Sequence, residues 1–303
     1  MDIYVRPGDS FWYYSQLFRT PLQLIVDSNR NANSQTLQQG QQIQIPGYVA
    51  QNYQIKPNDS LWSIAMRRNL PLDTLFLINP TLNPNQLQIG QTIQVPLRIT
   101  WRLVNGKQNY TYDMMMSDIQ LLQTVYPFLQ IAPIGNSVLN RSIPEVLIGI
   151  GDKRVAYNGS FHANEWITTP TIMTFLNDYV LSLTNQTTIR GLITSPLYEQ
   201  TSLSIVPMVN PDGVNLVLNG PPEREPYRSN VIQWNNNSLD FSDWKANING
   251  VDLNDQFPAE WEKERERNPK TPGPRDYGGE SPLSQPESIA MADLTRRRDF
   301  ARV

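Results

Sequence analysis

The chain has 303 residues, 17% of them charged, a formal net charge of −3 and no cysteine. That length allows two or three domains with a sizeable core, and the charge balance gives no global pull towards nucleic acid or an anionic membrane. Without thiols there are no disulfides and no thiolate metal sites, and no apolar run approaches the ~20 residues of a membrane span. The start, Met1-Asp2-Ile3-Tyr4, lacks the basic and apolar regions of a secretory signal, so none is expected.

The first hundred residues contain a repeat. Val5-Arg-Pro-Gly-Asp-Ser-Phe-Trp12 matches Ile55-Lys-Pro-Asn-Asp-Ser-Leu-Trp62 at an offset of 50. Gly40-Gln-Gln-Ile-Gln-Ile-Pro46 matches Gly90-Gln-Thr-Ile-Gln-Val-Pro96 at the same offset. A gapless match of this length means two copies of one small domain. Each copy reads as a strand, a turn whose Asp-Ser pair caps a helix, a second helix, and a glycine turn into a short strand closed by proline. Trp12 and Trp62, with Ile45 and Val95, are expected to supply the cores.

The pattern resembles the LysM module, at residues 1–47 and again at 51–97. The resemblance implies a β-α-α-β fold that binds N-acetylglucosamine-containing glycans, in peptidoglycan or chitin. It places the sugar groove at Gly8, Asp9 and Ser10 with the stretch from Asn29, and at Asn58, Asp59 and Ser60 with the stretch from Asn79. Asp9 and Asp59 are also expected to cap the helices that follow them. Residues 47–50 and 97–100 read as short linkers, so the copies are expected to be tethered closely.

From Trp101 strands and helices alternate. Residues 113–126 have apolar positions at helical spacing, and their methionines read as core packing. Residues 142–151, 154–161 and 202–209 read as strands. Helices are expected after Glu165 and over 287–297, and 260–267 as a solvated helix face. This alternation argues for an α/β domain with a mixed or largely parallel sheet over residues 101–303.

The only histidine, His162, follows the 154–161 strand and precedes Glu165 by three residues. The carboxyl end of a strand is where α/β folds place their sites, and an imidazole and a carboxylate three apart both reach one zinc ion. By itself H-x-x-E is not specific. Here it is joined by Asn210-Pro-Asp-Gly213, Gly250-Val-Asp-Leu-Asn254 and Pro282-Leu-Ser-Gln-Pro-Glu287. In that order the four motifs resemble the zinc carboxypeptidase family. With LysM modules in front, they resemble its bacterial branch that cuts peptidoglycan stem peptides between γ-D-Glu and meso-diaminopimelate.

The resemblance implies zinc, with His162 and Glu165 as two of its three protein ligands and Asp252 orienting the histidine. It implies that Asn254 helps hold the substrate, and that Lys245 stands where an arginine commonly polarises the scissile carbonyl. Asp255 and Asn164 stand where digestive members of the family carry arginines. An aspartate pairs with an ammonium rather than a carboxylate, so Asp255 is expected to read an amino group of the diamino acid.

The family's third ligand is a later histidine and its general base a later glutamate. This chain is expected to stop short of both, to leave a sheet edge bare and to have little peptidase activity as it stands. Peptidoglycan strands and stem peptides are the expected partners. The wall or spore of a Gram-positive bacterium, or its cytoplasm or sporulation compartment, is the expected place. The alternative is a glycan-binding LysM protein with a non-catalytic peptidase remnant, and metal analysis separates the two. A deacylase on the same scaffold has no support beyond the LysM pair.

Overall fold

The computed structural model describes residues 1–303, which divide into two compact units. Residues 1–103, 120–129 and 177–195 form the first, and 104–119, 130–176 and 196–303 the second.

The first copy of the repeat runs β1 (Asp2–Tyr4), α1 (Phe11–Phe18), α2 (Leu22–Ser28) and β2 (Gln42–Gln44). The second runs β3 (Tyr48–Gln54), α3 (Leu61–Arg67), α4 (Asp73–Ile78) and β4 (Thr92–Arg98). In each copy the two strands pair antiparallel, giving the expected β-α-α-β order. The caps differ from expectation. Ser10 and Ser60 cap α1 and α3, their hydroxyls accepting from the N–H of Tyr13 and Ser63. The carboxylates of Asp9 and Asp59 turn back onto the N–H of Arg6 and Lys56 and close the preceding turn. Gly8 and Asn58 sit in that turn at φ +84° and +66°, a region that glycine and asparagine tolerate best.

The first core gathers Ile3, Phe11, Phe18, Ile25, Ile43 and Ile45; the second gathers Ile55, Leu61, Ile64, Leu75, Ile93 and Val95. Trp12 and Trp62 are in neither, being 64% and 62% exposed. In α1 the inward stripe is taken at helical spacing by Phe11, Tyr14, Ser15 and Phe18, so the next position round the helix faces outward. Leu61, Ile64 and Ala65 do the same in α3.

Most of the residues read as linkers are already strand: Tyr48, Val49 and Ala50 belong to β3, and Leu97 and Arg98 to β4. Tyr48 opens β3 and packs its ring edge-on against Phe18 at 5.3 Å. Leu70 and Leu77 of the second copy enter the first copy's core. Arg6 adds a polar lock, placing Nη1 and Nη2 at 2.9 and 2.5 Å from Asp73, which also accepts from the Tyr13 hydroxyl at 2.5 Å. The copies share a core rather than hang on a tether.

Beyond them come α5 (Tyr112–Val125), β5 (Gln130–Asn136), β6 (Ser142–Ile148), β7 (Lys153–Asn158) and α6 (Thr168–Asn185). A hairpin of β8 (Thr188–Ile189) and β9 (Leu192–Ile193), α7 (Ser195–Gln200) and β10 (Thr201–Val206) follow. Last are α8 (Pro211–Asn219), α9 (Tyr227–Trp234), α10 (Trp261–Arg267) and α11 (Pro286–Arg298). The sheet order is β5-β6-β10-β7, with β10 antiparallel to β6 and parallel to β7, so the sheet is mixed, as expected. Met115 is buried, and α10 exposes every residue but Trp261. The edge of β7, expected bare, carries one isolated bridge: Arg302 pairs with Val155 in parallel and its carbonyl accepts from the Ala156 N–H at 2.9 Å. No helix is long and apolar enough to cross a membrane.

Candidate metal centre

β7 and β10 run parallel and in register to their ends, where Asn158 stands beside Val206. The pairing then continues irregularly, with Gly159 N–H on Val206 O and Val209 N–H on Gly159 O, both at 3.0 Å. The chains are so close that a Cβ on Gly159 would lie 2.8 Å from the Pro207 carbonyl oxygen. Ser160 is buried there, its Oγ 2.6 Å from Thr169 Oγ1 and its N–H on Thr168 Oγ1 at 2.7 Å. The turn Ala163–Glu165 follows as a short 3-10 segment. Ala163 N–H bonds Lys245 O at 3.0 Å, and α8 packs so tightly beneath that a Cβ on Gly213 would come within 2.7 Å of Ala163. Backbone contacts on both sides thus fix His162 and Glu165 at the carboxyl end of the parallel pair.

His162 Nδ1 lies 3.0 Å from Glu165 Oε1, and its Nε2 lies 3.3 Å from Asp252 Oδ1. Asp252 is fully buried and holds Lys245 Nζ at 2.9 Å, while the N–H groups of Asn254 and Asp276 donate to it at 3.2 Å each. Burial pushes the Asp252 carboxyl up, but His162 and Lys245 outweigh it and hold the group at about 2. Burial pulls the His162 imidazole down, and Asp252 with Glu165 raises it above the ordinary value. Lys245 is likewise pulled down by burial and raised overall by Asp252.

The expected site residues sort themselves. His162, Glu165, Asp252 and Lys245 converge. Asn254 is exposed beside them. Asp255 is half-buried and accepts from Asn268 Nδ2 at 3.0 Å; burial first, then Asp252, raises its pKa. Asn164 is half-buried, and its Oδ1 has no hydrogen-bond partner. Sequence reading missed Asp276, whose carboxylate lies 3.7 Å from Lys245 Nζ. It sits in a loop dense in proline and glycine, where no motif marks it.

The donor set can be tested against zinc. A separation of 3.0 Å between His162 Nδ1 and Glu165 Oε1 is close to the ~3.3 Å between two ligands of a tetrahedral zinc. A carboxylate on the far ring nitrogen is the support that metal-bound imidazoles usually have. The two donors fit, and no third His, Cys, Asp or Glu joins them.

In the repeat, the residues expected at the grooves are largely occupied in holding the fold. Asn29 Nδ2 donates to Ile25 O and Gln44 O at 2.7 and 2.8 Å, and its Oδ1 accepts from Gln44 N–H at 2.8 Å. Asn79 repeats the pattern on Leu75 and Gln94. Asp9 takes the Tyr14 hydroxyl, and Asp59 the Tyr53 hydroxyl and Arg67. Beside Asn29 lies a 270 Å³ pocket lined by residues 28–32 with Gln41, Gln42 and Gln44.

The zinc carboxypeptidase family matches residues 115–302, and the LysM domain matches residues 3–46 and 53–96. The chain is 75% identical over 301 residues to gamma-D-glutamyl-L-diamino acid endopeptidase 1 of Lysinibacillus sphaericus, covering 99% of this chain and 76% of that protein. It is 43% identical over 201 residues to the uncharacterized protein YqgT of Bacillus subtilis (strain 168), covering 65% of this chain and 53% of that protein. Among solved structures, thrombin activatable fibrinolysis inhibitor matches with a TM-score of 0.49 at 18% identity, over 65% of this chain and 46% of that one. With two LysM domains ahead of its mixed-sheet domain, the chain belongs to the zinc carboxypeptidase family.

Proposed function

We propose that the chain carries the wall-binding modules and two of the zinc donors of a peptidase that cuts peptidoglycan stem peptides between γ-D-glutamate and a diamino acid. The observation that carries this reading is His162, set between Glu165 on Nδ1 and the buried Asp252 on Nε2. Asp252 fixes the ring so that Nδ1 is the nitrogen offered to a metal. Zinc, when bound, supplies a Lewis acid for the scissile carbonyl and lowers the pKa of water. Lys245, anchored by Asp252, adds positive charge beside the donors, without the paired contacts an arginine would make. Asp255 reads an ammonium of the diamino acid, and the free Oδ1 of Asn164 accepts from the substrate backbone. The LysM pair raises the local concentration of substrate by holding the chain to peptidoglycan, at the wall or spore of a bacterium.

Turnover needs a third donor and a base, and these residues supply neither. The chain spans 76% of the Lysinibacillus relative. We assign to this chain zinc binding through His162 and Glu165 and peptidoglycan binding through its LysM pair. Calorimetric zinc titration tests the assignment: one weak site in the wild type is expected to vanish in His162→Ala. Equal uptake by both would instead favour a glycan-binding protein with a peptidase remnant. The role of Asp255 is checked by binding stem peptide with a free or an acetylated distal amino group. Asp255→Ala is expected to abolish the preference for the free amine, and an unchanged preference rejects the role.

A further inference from the structure

Three arginines of the first unit line one small pocket, and none of them has a carboxylate partner. The pocket is 80 Å³ and is bounded by Arg19, Arg68 and Arg98 together with Tyr48 and Asn69. The three come from separate parts of the repeat. Arg19 is the left-handed cap residue ending α1, at φ +47°. Arg68 follows the last turn of α3, with its guanidinium 4.7 Å from the Tyr53 ring centre. Arg98 ends β4, with its guanidinium 5.5 Å from the Tyr48 ring centre.

The acidic side chains that could neutralise them are engaged elsewhere. Asp9 and Asp73 hold Arg6, Asp59 holds Arg67, and Asp178 holds Arg102. Arg98 donates only to neutral groups, namely Asn185 Oδ1 and the carbonyls of Thr184 and Arg19. The charge is felt locally: burial raises the Tyr48 hydroxyl, and Arg98 and Arg19 both act against that rise. Elsewhere in this unit Arg6, Arg67 and Arg102 are matched to carboxylates at 2.5–3.1 Å. Three arginines without carboxylate partners around a cavity of this size make a receptor for an oxyanion.

We propose that this pocket, at the junction of the two LysM copies, is an anion site for a phosphate or carboxylate group borne by the cell wall. It is separate from the loops at Gly8 and Asn29 and at Asn58 and Asn79, and from the His162 centre. Wall material offers the chemistry from two sources, phosphodiester polymers and stem-peptide carboxylates. Arg98 shapes the fold through its carbonyl contacts, so Arg19 and Arg68, exposed and half-buried, are the residues that select the anion.

Inorganic phosphate is the first probe, against sodium chloride of equal ionic strength. At ten times its Kd it is expected to raise the wild-type unfolding temperature by about 2–4 °C. The Arg19→Gln/Arg68→Gln variant is expected to show no rise, while melting without phosphate at or above the wild-type temperature. No phosphate-specific rise in the wild type, or an equal rise in the variant, overturns the site. Chito-oligosaccharide binding, unchanged in the variant, separates failure of this site from failure of the glycan reading. Binding to intact wall and to wall stripped of phosphodiesters then identifies the source. A defect of the variant lost on stripping assigns phosphate, and a defect that persists assigns the stem carboxylate. No defect on either material overturns a wall ligand.

Discussion

His162 and Asp252 are 90 residues apart in sequence, yet the ring Nε2 stands 3.3 Å from the aspartate Oδ1. The carboxylate is fully buried and gathers Lys245 and two backbone N–H groups as well. In the function proposed above it is the group that would set which nitrogen of the imidazole is offered to a metal.

Replacing Asp252 by Ala leaves Lys245 and His162 facing an empty, buried position. A loss of about 2–4 kcal/mol in urea unfolding is expected, since removing one partner of a buried pair strands the other. Zinc affinity is expected to fall about 10–100-fold. A variant with unchanged zinc affinity removes Asp252 from any role in positioning the histidine.

Glu287 predicts a pH dependence of stability. It is fully buried, and burial raises its carboxyl from 4.5 to about 7, against hydrogen bonds from Val138 N–H and Asn247. An acid with a raised folded pKa binds its proton more tightly when folded, so stability is highest at acid pH and falls as pH rises from 4.5 to about 7. The loss amounts to as much as about 3 kcal/mol and levels off above the folded pKa. Glu287→Gln is expected to flatten this limb in unfolding measured from pH 4.5 to 8. An unaltered slope assigns it to other groups.

Trp12→Ala and Trp62→Ala are expected to change stability by less than about 1 kcal/mol, because both indoles are mostly in water. Phe18→Ala, at a fully buried position, is expected to cost about 3–5 kcal/mol. Chemical denaturation of the three variants decides it, and a tryptophan variant as damaging as Phe18→Ala contradicts the arrangement.

The lock between the LysM copies is open to a double-mutant cycle on Arg6 and Asp73. Each side chain is 34% exposed, so a coupling of about 0.5–1 kcal/mol is expected rather than the value of a buried pair. Zero coupling would mean that the apolar contacts of Tyr48, Leu70 and Leu77 hold the copies together without this ion pair.

Much of this was legible in local patterns. The gapless offset of 50 marks the two LysM domains, and the order of four short motifs marks the peptidase family, including the meeting of His162, Glu165, Asp252 and Lys245. Periodicity failed where two neighbouring residues are both apolar. Phe11 and Trp12 carry the same signal in sequence, and only the packing of α1 on its own copy chooses which goes inside. β5 shows no clean alternation, and α8 starts inside the Asn210-Pro-Asp-Gly213 motif, where no helical periodicity marks it. Asp276 reaches Asp252 across a separation of 24 residues, which leaves no periodic trace.

The sequence alone determined the kinds of domain, their order and the chemistry of the donors, because those depend on residue types at short, fixed spacings. Only the tertiary structure decided that the LysM copies share a core, that Asp9 and Asp59 hold turns while serines cap the helices, and that three arginines are left without counter-charges. Such outcomes depend on which groups compete for the same partner once the chain is compact. In a folded chain Asp59 goes to Arg67 and not to its neighbour Arg68, a choice made by geometry that composition does not record.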